Sequence, residues 1–149
     1  MINYIEKGYG LHAAISAAGR SLIERDGAWV ADDDAAVQAV IDAYTAAETA
    51  APIISEIKAH AREIILARYP DWKQTNMTAR SVELTERIAT GGALTPAEQA
   101  EIDAMKAVWS WIKSVRVASD AHEAAVAVLV SASDFAGILT YDWRAGWPE

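Results

Sequence analysis

The sequence predicts a mostly α-helical α+β fold, with a small N-terminal β-α-β-β unit followed by an antiparallel helical bundle. Three observations carry this. Alanine fills 32 of the 149 positions, and it is the side chain that costs least to place in a helix. From residue 35 onward apolar residues recur at the i, i+3, i+4 spacing of one helical face. Before residue 32 that spacing gives way to short runs broken by glycine. Asp26-Gly27 lies between two of these runs, the strongest short hairpin signal, because Gly accepts the positive φ of a type I′ turn.

In order along the chain, Ile2-Asn-Tyr-Ile5 has the alternation of a short strand. Gly8 and Gly10 precede a short helix, Leu11–Ala18, which Gly19 ends. Ser21–Arg25 and Ala28–Ala31 are the two arms of the hairpin. Asp32-Asp-Asp34 then opens a helix over Ala35–Tyr44, in which Val37, Val40, Ile41 and Tyr44 share a face. Carboxylates at that point cap free amides and sit at the positive end of the helix dipole.

From Pro52 the pattern is helical, with Ile53, Ile54, Ile57, Ala61, Ile64 and Ile65 on one stripe, and it stops at Tyr69-Pro70. Asp71 is placed to cap the next helix with Gln74 three residues on, and Met77, Ser81, Leu84 and Ile88 share one side of it. Gly91-Gly92 ends it. Thr95-Pro96-Ala97-Glu98 restarts the chain with cap residue, first-turn proline and returning carboxylate in their preferred places.

The helix from Pro96 carries two neighbouring stripes. One is Ile102, Met105, Trp109, Ile112 and Arg116; the other is Ala104, Val108, Trp111, Val115 and Ala118. A face that wide suits a helix with more than one neighbour. Asp120–Glu123 either caps a further helix through Ala124–Val130 or lies within one long rod. Gly137–Glu149 is not helical by pattern and carries Tyr141, Trp143 and Trp147. Chain ends are normally polar unless tied down, so this segment either folds back or docks into another chain. The chain thus divides into a small α+β unit over 1–45, a helical hairpin or bundle over 46–136 and an aromatic tail over 137–149.

Composition excludes several chemistries. With no cysteine there is no disulfide, thiolate nucleophile or Cys-ligated metal. The formal charge of −8 argues against a nucleic-acid binder. The acid is uneven: residues 1–50 hold 3 basic and 8 acidic groups, 51–90 hold 6 and 5, and 91–149 hold 4 and 8. His12, His60 and His122 stand on separate segments without metal-ligand or triad spacing, and the Gly pairs lack a phosphate-loop pattern. No catalytic residue, cofactor or metal site is expected. The N-terminus shows no signal-peptide pattern, and the longest apolar run, Ala124–Val130, falls far below the roughly 20 residues of a membrane span.

Several phrases occur together and in order: Glu6-Lys-Gly-Tyr-Gly-Leu-His12, Val37-Gln-Ala-Val-Ile-Asp-Ala-Tyr44, Tyr69-Pro-Asp-Trp-Lys-Gln-Thr-Asn76, Leu94-Thr-Pro-Ala-Glu-Gln-Ala-Glu-Ile-Asp103, Trp111-Ile-Lys-Ser-Val-Arg116 and a Gly-Trp-Pro ending. In these the chain resembles small tail-associated proteins of tailed bacteriophages, the group found with tail-fibre and tail-assembly proteins. The resemblance implies a non-enzymatic virion tail component or assembly factor, placed in the virion tail or in the host cytoplasm during assembly. Its partners would be other tail or tail-fibre proteins, with self-association as a second mode and no nucleic-acid or membrane partner. The expected contact residues are Trp109, Trp111, Val115, Tyr141, Trp143 and Trp147, since aromatic side chains dominate interface energetics. Replacing Trp143 and Trp147 by Ala should then weaken association and spare the helices. The alternative is an acidic helical adaptor that blocks a host protein's basic surface.

Overall fold

A computed structural model describes residues 2–149. Its elements are α1 (Tyr9–Ala17), β1 (Leu22–Arg25), β2 (Ala28–Ala31), α2 (Asp34–Ala43), α3 (Ala46–Arg68), α4 (Asp71–Ala89), α5 (Pro96–Ser131) and α6 (Phe135–Thr140). The fold is mostly α with a small antiparallel sheet, as the sequence predicts. The chain folds as two compact units: one comprises the segment up to Ile57 with His122–Trp143, the other Lys58–Ala121 with Arg144–Glu149. These are not the consecutive segments 1–45, 46–136 and 137–149. The chain leaves the first unit within α3 and returns to it within α5.

In the first unit β1 and β2 pair antiparallel, with Leu22 opposite Ala31 and Arg25 opposite Ala28. Asp26 and Gly27 both have positive φ, 54° and 76°, the two-residue turn that the Asp-Gly pair predicts. The strand expected at Ile2–Ile5 does not form, and the sheet has two strands only. The Asn3 amide donates instead to a side chain, Gln38 Oε1, at 2.8 Å. Ile2 and Tyr4 instead pack on the core of Leu11, Ile15, Val37 and Ile41.

Lys7 is the one base buried in that unit. Its Nζ donates to the carbonyls of Ile41 at 2.6 Å and Tyr44 at 2.7 Å, at the end of α2, where unpaired carbonyls and the helix dipole favour a cation. The other end of α2 is held by Asp33, whose side chain accepts from the Ala36 amide. Asp32 accepts from the Ser21 amide, and this bond holds its carboxyl below the usual carboxylate range.

The helix expected from Pro52 begins earlier. Thr45 and Glu48 form a reciprocal cap, Glu48 accepting from the Thr45 amide at 2.7 Å and Thr45 Oγ1 from the Glu48 amide at 3.2 Å. This starts α3 at Ala46 and leaves Pro52 inside the helix. The same cap at Thr95 and Glu98 starts α5 where the sequence places it. Asp71, expected as a cap, is the first residue of α4 behind Pro70, and Gln74 Nε2 donates back to the Tyr69 carbonyl.

One uninterrupted helix runs from Pro96 to Ser131, which settles the question of rod or break. Burial along it follows Met105, Val108, Ile112, Val115, Ser119, His122 and Val126, alternating steps of three and four, the spacing that keeps one seam inward. That seam threads between the two expected stripes, leaving Trp109 and Arg116 of the first exposed.

The last segment is partly helical, contrary to expectation. Asp134 caps α6 by accepting from the Gly137 amide at 2.8 Å, and Ile138 is fully buried. A single turn with no room for a periodic pattern gives no helical signature of its own.

Candidate interaction surface

The second unit is built on a core of Ala61, Ile65, Ile112 and Val115, with Trp111, Tyr69 and Trp147 packed against it. Beside this core α4 and α5 form a hairpin. Arg80 bonds Glu101 at 3.0 Å and Glu83 at 3.0 Å, and Arg87 pairs with Glu98. Arg80 precedes Arg87 while Glu101 follows Glu98, so the pairs fix α4 and α5 as antiparallel.

The hairpin is thinly covered. Leu84 is the only buried residue of α4, and Trp72 and Ile88 of that helix are 66% and 51% exposed. One side of it presents Thr75, Thr78, Ser81 and Thr85, which on paper is polar. Thr75 Oγ1 donates to the Asp71 carbonyl, Thr78 Oγ1 to that of Gln74 and Thr85 Oγ1 to that of Ser81, each four residues back. With the hydroxyls bound to their own helix, these exposed threonines have their polar atoms already partnered.

That side continues into a groove of about 350 Å³ lined by Thr85, Ile88 and Leu94 on one wall and by Ile102, Met105 and Trp109 on the other. Trp109, 36% exposed, also lines the neighbouring depression with Thr75 and Thr78. The Trp109 ring joins the two depressions into one exposed strip, apolar at Ile88, Leu94, Ile102, Met105 and Trp109 and edged by the polar side chains of Ser81, Gln99 and Lys106 in the first and of Asp71 and Gln74 in the second. Exposed contiguous apolar surface marks binding sites more reliably than scattered apolar residues do.

The six expected contact residues fall into different environments. Val115 is fully buried and Trp143 is 8% exposed, so both are core. Trp111 donates Nε1 to the Glu149 carbonyl at 2.9 Å, lies edge-on to Tyr69 and carries the Arg68 guanidinium 4.6 Å above its ring. Trp147 is edge-on to His60, and Arg68 also donates to the Glu149 carbonyl. The segment after Arg144 is therefore tied to α3 and α5 of its own unit. In the first unit Tyr141 bonds His122 Nδ1 through its hydroxyl at 2.8 Å. Of the six, Trp109 alone lines the hairpin groove.

The sequence reading missed Thr75, Thr78, Thr85 and Ile88. Only the threonines carried a signal: a run of Thr at helical spacing, whose hydroxyls the helix itself can satisfy.

A second polar cluster lies in the first unit. The Tyr4 hydroxyl donates to Glu6 Oε2 at 2.9 Å and accepts from His12 Nε2 at 3.0 Å, while its ring stacks on Trp29 with centroids 4.0 Å apart. Burial and the adjacent Glu6 push the Tyr4 hydroxyl far above its ordinary pKa. Both of its partners are satisfied by it, so the cluster fastens the N-terminal segment to α1 and β2.

Among the described residues no group of three or more His, Asp or Glu is placed to hold a metal, and no helix is long and apolar enough to cross a membrane. Compared with protein families, curated proteins and solved structures, the chain matches none of them.

Proposed function

We propose that this chain is a non-enzymatic protein that works by protein–protein contact through the α4–α5 hairpin, as a component or assembly factor of a bacteriophage tail. The observation that carries the contact reading is the exposed strip of Ile88, Ile102 and Trp109, continued by Thr75, Thr78 and Thr85, whose hydroxyls are bound to their own helix. The phage setting rests on the resemblance of the chain's ordered phrases to tail-associated proteins. The partners on this reading are tail or tail-fibre proteins, met in the host cytoplasm during assembly or retained in the virion tail.

The strip suits that work physically. A desolvated Trp surrounded by smaller apolar contacts is the arrangement that concentrates binding energy at interfaces. Truncating such an anchor costs about 2 kcal/mol or more of binding, roughly thirtyfold in affinity, and less stability than emptying a fully buried site, because Trp109 is 36% exposed.

The test is co-expression of the tagged chain with phage tail and tail-fibre proteins, comparing wild type with Trp109→Ala and Ile88→Ala. Capture of a tail protein that both variants lose supports the reading. Capture that neither variant changes refutes the hairpin as the contact site. Mass spectrometry of purified virions then separates a structural component, which is present, from an assembly factor, which is not.

A further inference from the structure

The acidic residues of this chain are segregated by folding. The sequence has two acidic ends about a neutral middle, and the fold joins the first of them to the acidic stretch 122–143, which contains three acidic residues and no Lys or Arg. That first unit contains 3 basic and 12 acidic residues, a formal −9, against 10 basic and 9 acidic in the second, a formal +1. Of the three bases, Lys7 is spent on buried carbonyls and Arg20 lies beside Asp32 and Asp33.

On this acidic unit stands an exposed aromatic. Tyr9, the first residue of α1, is 88% exposed, the most of any large hydrophobic residue described. Gly8 before it has φ of 85° and backs onto Leu139: a Cβ there would sit 2.9 Å from Leu139 Cδ2. Leu139 is itself 39% exposed. Leu139, which meets Gly8, and Tyr9, the residue after that glycine, are thus two exposed apolar side chains brought to one place from opposite ends of the chain, an apolar projection centred on Gly8. The same two segments each carry a fixed carboxylate: Glu6 accepts from the Gly8 amide at 2.7 Å, and Asp134 from the Gly137 amide.

We propose that this projection is a second contact site, independent of the hairpin, and that it docks a partner protein offering an apolar socket rimmed by Lys or Arg. The sign of the charge selects the class of partner. Nucleic acid and anionic lipid surfaces are repelled by a unit of −9, whereas a basic protein surface is drawn to it and then anchored by the ring. A Tyr brings a large contact area with few rotatable bonds, which keeps the entropic cost of docking low.

The probe is a synthetic amphipathic helix with leucines on one face and lysines on the other, titrated into the full isotope-labelled chain and followed by amide chemical shifts. The expected result is shifts centred on residues 6–11 and 135–140. Affinity should fall roughly tenfold or more between about 20 mM and 300 mM salt, as screening requires. Tyr9→Ala should weaken binding roughly tenfold, the loss of one interface anchor, Tyr9→Phe should retain it, and both variants should melt as wild type does. Shifts spread over all the carboxylates and insensitive to Tyr9→Ala would overturn the proposal, as would shifts confined to residues 71–109 or equal binding of duplex DNA. Because the readout is at Tyr9, its failure leaves the Trp109 test untouched.

Discussion

At the scale of single residues, the six tryptophans of this chain do different work. Trp143 is core and Trp109 is surface. Trp143→Ala should cost about 3–5 kcal/mol, the usual range for emptying a buried Trp site, whereas Trp109→Ala, which removes a ring already 36% exposed, should cost clearly less. Chemical denaturation of the two variants checks both. The expectation that losing Trp143 and Trp147 spares the helices is reversed, because those rings are packed inside their own units. Titratable residues make a further prediction. The Tyr4 hydroxyl has its pKa raised by burial and by Glu6, so it stabilises the fold below the ordinary tyrosine value of about 10. That contribution is lost as pH climbs through the raised folded value. Asp32, Glu48 and Glu98 are shifted down, each first by a backbone amide: Ser21, Thr45 and Thr95 respectively. They stabilise above about pH 4 and cease to as pH falls through their lowered folded values. Melting temperature measured against pH should fall at both ends, and Tyr4→Phe should flatten the alkaline limb alone.

At the scale of elements, local rules were legible wherever one short phrase decides the outcome. Asp26-Gly27 turns the hairpin and Thr95–Glu98 caps α5 because two to four adjacent residues supply all the chemistry required. The misreadings have local causes too. Pro52 looks like a helix start because proline lacks an amide donor, yet Thr45 and Glu48 cap the helix seven residues earlier and overrule it. An interior proline costs a helix about 3 kcal/mol. Pro52→Ala should therefore raise the melting temperature, by an amount corresponding to about 1–3 kcal/mol; a lowered one would mean that the ring is needed. In α4, where Leu84 alone is fully buried, Leu84→Ala should cost about 2–5 kcal/mol. Hydrogen exchange should then show the 71–89 amides opening first, since so little else holds that helix.

At the scale of the whole molecule, the sequence order conceals which segments meet. Residues 122–143 belong with residues before Ile57, and the last six residues with α3 and α5 of the other unit. No periodicity in 137–149 specifies that partner, because which long-range surface a Trp enters depends on shapes that exist only after folding. The composite acidity of the first unit is invisible for the same reason, since its two acidic stretches are separated by the neutral helices. What the sequence did make legible is the class of fold and several of the helical faces; that Trp109 lines an exposed groove, and that the threonine hydroxyls beside it bond backwards, emerge only from the folded chain. The central claim, that contact with a partner is made by the hairpin and not by the aromatic tail, is tested most directly by hydrogen–deuterium exchange of the captured tail-protein complex against the free chain. Added protection over residues 71–109, with 137–149 unchanged, is the result predicted. Protection gained over 137–149 with the hairpin unchanged would contradict it.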